Sequence, residues 1–427
     1  MSHSASIGVT RMACGLSARS QPVQAASELA AQVKASLAGQ AIDLACIFFT
    51  PHHADAARAL AYSLRRRLDP HLLIGMSVET VIAGGIEQEG SPGVSLLAAS
   101  LPGIDVRPFR ITDLLDHIAA DDASLAEAAG VSCASAPYRG SILFADPFSV
   151  PAGTLLPALA AARARSAPDA APAPIIGGMA SAAETAGENV FILNDEVIRS
   201  TGVGISFSGP IRIDPLVSQG CRPIGTPLVV TAAKRQIISS LSGKPALQAL
   251  TEAIETLKPH ERKLCERGIL IGRVINEYKQ RFGRDDFLIR GLLGVDKQSQ
   301  ALVVADLVRV GQTVQFHVRD DTTASEDLEM LLDAQRLYEP PVGALLFTCT
   351  ARGRHLFQTP NHDASRIAAA FADPLPAEQQ AKPGEAIVRS GPYVPLAGCF
   401  AAGEIGPVGD GVFLHAHTAC AALFRHA

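Results

Sequence analysis

The stretch "IDLACIFFTPHHADAARALAYSLRRRLDPHLLIGMS", residues 42–77, decides the fold class. Its opening "IDLACIFF" (42–49) is a short apolar run rich in strand formers, and "LLIGMS" (72–77) is a second. Between them Ala57, Leu60, Ala61, Leu64 and Leu68 recur at helical spacing and line one face. Strand, helix and strand in succession point to α/β architecture. Working outward, "GVSLLAAS" (93–100) reads as a further strand, and the glycine-rich "VIAGGIEQEGSPG" (81–93) before it reads as loop.

The rest of the chain extends the pattern. An Ala/Pro-rich connection is expected near 121–174, interrupted by a strand at "SILFADPF" (141–148) and a short helix from about Thr154, with an exposed tract at 166–174. "IIGGMAS", "NVFILND" and "STGVGISFSG" read as consecutive antiparallel strands, a meander that closes the first domain. A second domain starts with the amphipathic helix marked by Leu247, Leu250, Ile254 and Leu257. It continues through the strands "GILIGRVI", "FLIRGLLGV", "ALVVADLV" and "TVQFHVRD", a helix over 324–337 and the buried strand "GALLFTCT". The expectation is two mixed-sheet α/β (α+β) domains flanked by helices, 1–230 and 231–427, with no short-period repeat.

Composition excludes several classes of function. With 427 residues and 48% hydrophobic content the chain buries a large core, and 37 basic against 42 acidic residues leave no general field for nucleic acid or an acidic membrane. The first thirty residues lack an apolar run of signal-peptide length, and no stretch reaches the roughly 20 apolar residues of a membrane span, so a cytoplasmic location is expected. The eight cysteines are far apart, which fits neither a zinc clip nor a disulfide framework. "GVGISFSG" lacks full dinucleotide-loop spacing and no helix follows it.

Four constellations carry chemistry. In "FHVRDD" (316–321) Arg319 can fork onto a carboxylate, while Asp320, Asp321 or Thr322 is placed to cap the helix that follows. In "LLFTCTARGRHLF" the thiol of Cys349 precedes Arg352, Gly353, Arg354 and His355, so it reads either as a core residue or as a thiolate nucleophile with His355 or Glu404 as base. Gly353 between two arginines lets backbone N–H groups face an anion. "SQGCRPIGTP" (218–227) reads as a stiff interdomain turn whose Arg222 sits in an ion pair or on a ligand. In "GEIGPVGDGVFLHAHT" (403–418), an extended "FLHAHT" would put His415 and His417 on one side, which with Glu404 or Asp410 is an incomplete metal set, and no metal is assigned.

Taken together, "LIGMS", "GGIEQEG", "SQGCRPIG", "GKPAL", "FLIRGLLGVD", "VQFHVRD", "GALLFTCTARGRHLF", His362–Asp363 and "GEIGPVGDGVFLHAHTACAALF" resemble the FIST family over nearly the whole chain. This family of bacterial sensory proteins, with FIST N and FIST C domains, is related to the substrate-recognition part of certain F-box proteins. The resemblance implies a cytoplasmic sensor for a small molecule such as an amino acid, signalling through a separate partner protein and without a general enzymatic reaction. The site residues it implies are Arg222, Arg319, Asp320, Cys349, Arg352, Gly353, Glu404, Gly406, Pro407 and His415. His417 joins them because it departs from the pattern: the family's last motif reads His-Gly-aromatic-Thr, and here Ala416 and His417 fill its middle. Two alternatives stay open beside the small-ligand sensor: a noncovalent haem-binding nitric oxide sensor with His415, His417 or another histidine as axial ligand, and an enzyme using Cys349. A protein-interaction scaffold, by the F-box kinship, is a further one.

Overall fold

The computed structural model describes residues 9–118, 122–130, 137–166, 173–372 and 393–427. The chain divides into two compact units, one formed by Met1–Val217, Leu331–Leu414 and Ala419–Ala427, the other by Ser218–Met330 with His415–Thr418. The mixed α/β class expected from residues 42–77 holds.

The larger unit holds three six-stranded sheets, each containing one parallel pair. Strands Leu44–Phe49 and Leu72–Ser77 are joined through helix Ala57–Leu68, Tyr138–Ala145 and Ile175–Met179 through helix Ala152–Ser166, and Gly343–Cys349 and Leu396–Ala401 precede and follow helix His362–Ala369 in the same way. Parallel strands need such a crossover. They are buried on both faces, which is why their sequences are continuous apolar runs. In the first pair Cys46 and Phe48 point to a core shared by the three sheets, whereas Ala45, Ile47 and Phe49 point to helices Pro22–Leu37 and Ala57–Leu68. Helix Ala57–Leu68 buries Ala57, Leu60, Ala61, Leu64 and Leu68, the face expected from spacing.

The three first strands meet in a triangle of rings. Phe48 lies 5.2 Å from Phe144 and 5.9 Å from Phe347, and Phe144 lies 6.0 Å from Phe347, in tilted and edge-on contacts worth about 0.5–1.5 kcal/mol each beyond burial. The three second strands share another device. Gly75, Gly177 and Gly398 pair with Ile47, Leu143 and Leu346, and a Cβ there would fall 2.6, 2.0 and 1.9 Å from the partner's carbonyl oxygen. Glycine is required because the neighbouring strand occupies the side-chain position.

Three expectations are corrected here. The glycine-rich stretch after residue 80 is a hairpin, Val81–Ala83 with Ile86–Gln88, turning at Gly84 (φ 57°) and Gly85 and pairing with Leu396–Ala401; a two-residue Gly-Gly link is a hairpin signal when apolar residues flank it. The meander is absent: Ile175–Met179 runs parallel to Tyr138–Ala145, Phe191–Leu193 pairs with Leu72–Ser77 in another sheet, and Gly202–Ser208 pairs with Tyr138–Ala145 and Asp105–Arg110. Within the Ala/Pro-rich stretch, the helix runs over Ala152–Ser166 and belongs to a sheet crossover; residues 131–136 and 167–172 lie outside the described residues.

The smaller unit is an antiparallel barrel. Its strands run in the order Cys221–Lys234, Thr313–Arg319, Ile269–Val274, Phe287–Asp296, Ala301–Val304 and Ile237–Leu241, and the last pairs back with the first. Closure removes the exposed edges. Helix Ala246–Glu255 packs Ala246, Ala249, Leu250 and Ala253 onto Ile224, Val230, Phe316 and Val318. "CRPIG" is therefore strand, not turn, and Cys221 pairs in register with Arg319.

Candidate functional site

The eleven residues singled out from sequence divide between the two units. Cys349, Arg352, Gly353, Glu404, Gly406 and Pro407 belong to the three-sheet unit, and Arg222, Arg319, Asp320, His415 and His417 to the barrel unit.

In the three-sheet unit, strand Gly343–Cys349 delivers its C-terminal end to a short 3-10 turn, Gly353–His355. Gly353 takes φ 52°, and a Cβ there would meet the Phe400 ring at 2.5 Å. The turn places Arg352 inside the protein, where Nε donates to Asp363 Oδ2 at 2.7 Å and Nη2 to Oδ1 at 2.8 Å. Both side chains are 1% exposed, and the guanidinium also stands 5.2 Å from the Phe357 ring centre. Arg352 thus forks onto a carboxylate of its own unit, that of Asp363. Thr348 Oγ1 (2.7 Å) and His362 Nδ1 (2.9 Å) complete the shell of that carboxylate. Burial alone would raise Asp363, but the Arg352 charge and its two hydrogen bonds hold the carboxyl well below the usual range. His362, stacked on Phe357 at 3.5 Å, is shifted down by burial against the pull of Asp363.

Glu87 arrives from the hairpin that the sequence reading took for loop. Its Oε1 accepts the amides of Asp363 and Ala364, both at 3.0 Å, at the start of helix His362–Ala369. Burial, followed by the charge of Asp363, pushes its carboxyl up to about 8. Two buried carboxyls side by side are therefore shifted in opposite directions, Asp363 down by Arg352 and Glu87 up by burial. Glu87, Thr348 and Asp363 were missed as site residues. The available signal was a carboxylate within an apolar-flanked Gly-Gly hairpin, "IAGGIEQ".

Cys349 is 6% exposed, and the thiols of Cys399 and Cys420 are raised by burial and then by the charge of Glu404. Phe347 faces both Cys399 and Cys420 across the sheet, so these thiols and Glu404 belong to the packed interior. Glu404 pairs with Gly178 at the start of strand Glu404–Val408, which also carries Gly406 and Pro407.

In the barrel unit, Arg222 and Asp320 come together. Arg222 Nη2 donates to Glu261 Oε1 at 2.6 Å, and its Nη1 stands 3.8 Å from Asp320 Oδ2. Asp320 caps the helix Asp321–Gln335, taking the Thr322 amide at 3.3 Å and the Thr323 hydroxyl at 2.6 Å. Beside that helix start lies a hollow of about 510 Å³ walled by Arg222, Arg284, Asp320, Asp321, Thr322 and Glu326. Two ion pairs involve its lining residues, Arg267–Asp321 at 3.8 Å and Arg284–Glu326 at 3.9 Å, and both are too long for hydrogen bonds. Arg319 is not on its wall; its guanidinium donates to the Arg267 carbonyl at 2.8 Å.

The two histidines do not share one extended strand. His415 ends strand Gly411–His415 and is buried, whereas His417 sits in the turn before Thr418–His426 with φ 61°. A left-handed histidine breaks the strand alternation that would align them. Among the described residues no group of three or more His, Cys, Asp or Glu is placed to hold a metal ion, and no helix is long and apolar enough to cross a membrane.

The described residues form a mixed α/β protein with a charged hollow in one unit and a buried arginine–carboxylate network in the other. The chain belongs to the FIST family, a family of sensory domains: the FIST N domain matches residues 43–244 and the FIST C domain residues 246–407. An uncharacterized protein of Mycobacterium tuberculosis is 35% identical over 416 residues, covering 97% of this chain and 99% of that one. An uncharacterized protein of Mycobacterium bovis matches at 35%, over 97% and 98%. Among solved structures, cyanuric acid hydrolase from A. caulinodans aligns over 98% of this chain and 99% of that one, at 9% identity and a TM-score of 0.34, a likeness that carries no argument.

Proposed function

We propose that the protein is a small-ligand sensor, that its ligand is an α-amino acid, and that the ligand sits in the hollow beside the start of helix Asp321–Gln335. The observation that carries this reading is the charge pattern of that hollow. Its volume of about 510 Å³ falls among ordinary small-molecule sites, roughly 300–1,000 Å³. Arg222 and Arg284 offer guanidinium donors to a carboxylate, while Asp321 and Glu326 offer acceptors to an ammonium group. The loose pairs at 3.8 and 3.9 Å leave those groups with hydrogen-bonding capacity to turn toward a zwitterion. Occupancy is read out through a separate partner protein.

A thermal-shift screen of the purified protein against the common amino acids tests this. A ligand that binds only the folded state stabilises it by about 2.7 kcal/mol at a hundred times its Kd. At least one amino acid should raise the midpoint, and Arg284→Glu should abolish that rise. A flat screen, or a shift that survives in Arg284→Glu, rejects the reading.

A further inference from the structure

Helices Pro22–Leu37 and Ala57–Leu68 lie side by side over the first sheet of the three-sheet unit, their inner faces buried in one apolar cluster. Their outer faces border a groove of about 670 Å³ lined by Val23, Ala59, Tyr62, Ser63, Arg66 and Arg67. The groove combines apolar and cationic side chains. Val23 and Tyr62 are 50% and 57% exposed, large apolar groups left open to solvent. Arg58, Tyr62 and Arg66 follow at intervals of four residues and form one exposed stripe.

The cations of this stripe are unspent. Among the described residues, no carboxylate lies within ion-pair distance of Arg58, Arg66 or Arg67. Arg66 reaches the Tyr62 hydroxyl at 3.4 Å and covers its ring at 5.8 Å, and Arg67 donates to the Ser63 carbonyl at 3.3 Å, both within their own helix. The neighbouring Arg65 shows the contrast, paired with Asp195 at 3.1 Å and Asn194 at 2.9 Å. Glu28 of the first helix is taken by Ser17 and Arg19. In a chain of net charge −5, three guanidinium groups without a carboxylate partner on one helix, one of them over an exposed aromatic ring, form a local positive site.

We propose that this groove docks an acidic, amphipathic helical segment of a partner protein. Apolar side chains of the segment would cover Val23, Ala59 and the Tyr62 ring, and its flanking carboxylates would meet Arg58, Arg66 and Arg67. A 12-residue helix such as Ala57–Leu68 is about 18 Å long, which matches three turns of a helical ligand. Nucleic acid fits less well, because the molecule as a whole repels a polyanion and three arginines neutralise few phosphates. The proposal gives chemistry to the separate partner of the sensory reading and rests on that reading only for the partner's existence.

Fluorescence anisotropy with a labelled helical peptide of Leu, Ala and Glu tests it, since this assay needs no amino-acid ligand and can succeed or fail independently of the thermal-shift screen. Saturable binding is expected, weakened roughly tenfold or more by Arg58→Glu/Arg66→Glu and by about 0.5 M salt. Tyr62→Ala should weaken it as well, and Arg309→Glu, an exposed charge of the barrel unit, should not. Circular dichroism confirms that each variant is folded. The proposal is overturned by an absence of saturable binding, by equal binding to the charge-reversed variant or of a peptide with Lys in place of Glu, or by tighter binding of phosphatidylserine vesicles or a single-stranded oligonucleotide.

Discussion

Arg352 and Asp363 meet through two parallel hydrogen bonds of 2.7 and 2.8 Å in a place where neither side chain reaches water. A buried pair of this kind gains little over a well-packed apolar pair, but removal of one partner strands the other charge. Arg352→Met should therefore destabilise the protein by about 3–5 kcal/mol, and Arg352→Met/Asp363→Leu should recover much of that loss. Urea unfolding of both single variants and the double variant measures the coupling.

Glu87 sets a pH dependence of the opposite kind to that of an ordinary carboxylate. Its folded pKa, about 8, lies above the unfolded value, so the folded state holds a proton the unfolded state releases. This stabilisation is complete below the unfolded pKa of roughly 4.3 and is lost as pH rises through about 8, with a slope of up to about 1.4 kcal/mol per pH unit. Glu87→Gln should flatten that decline in chemical-unfolding curves. An unchanged slope would show that Glu87 is ionised in the fold.

His317 of the barrel works in the reverse sense. Burial lowers its pKa to about 4, and the ring packs edge-on to Phe287 at 5.1 Å. The unfolded state binds the extra proton between about 4 and 6.5, so the barrel gains stability as pH rises through that range. Hydrogen exchange resolved by segment should show protection of 269–274 and 313–319 increasing from pH 4 to 6.5, while protection near Glu87 declines from pH 4.5 to 8.

Gly398 and Gly294 predict contrasting outcomes for the same substitution. A Cβ at Gly398 would fall 1.9 Å from the Leu346 carbonyl oxygen, whereas nothing lies within 4 Å of one at Gly294. Gly398→Ala should cost about 1–3 kcal/mol or more through forced strand separation, with Gly294→Ala near neutral. Thermal unfolding of the two variants decides.

How far sequence carried the fold is clearest at the parallel pairs. "IDLACIFF" and "LLIGMS" were legible because strands buried on both faces leave unbroken apolar runs, and the helix between them kept its period. Strand direction leaves no such mark, so Ile175–Met179 was placed in a meander although it runs parallel to its neighbour. The threefold recurrence of Phe48, Phe144 and Phe347 escaped notice because its copies are separated by unequal spans, one of which contains the whole barrel. At the candidate sites, Arg222 was left between an ion pair and a ligand contact and is ion-paired with Glu261, and of the three candidate caps it is Asp320 that takes the amide of Thr322. The partner of Arg352 was quoted only as part of a motif, because eleven residues of sequence separate two groups that the turn at Gly353 brings into contact.

The ring triangle also fixes an order of assembly during synthesis. Phe48 and Phe144 leave the ribosome early, but Phe347 follows only after all six barrel strands have been made. The barrel, whose strands are consecutive within residues 221–319, is complete while the larger unit still lacks three strands of its third sheet and two of its second. The strands already made, which belong to all three sheets, must then wait with apolar faces uncovered for more than a hundred residues, at about 5–20 residues per second, a window in which chaperone capture competes with aggregation.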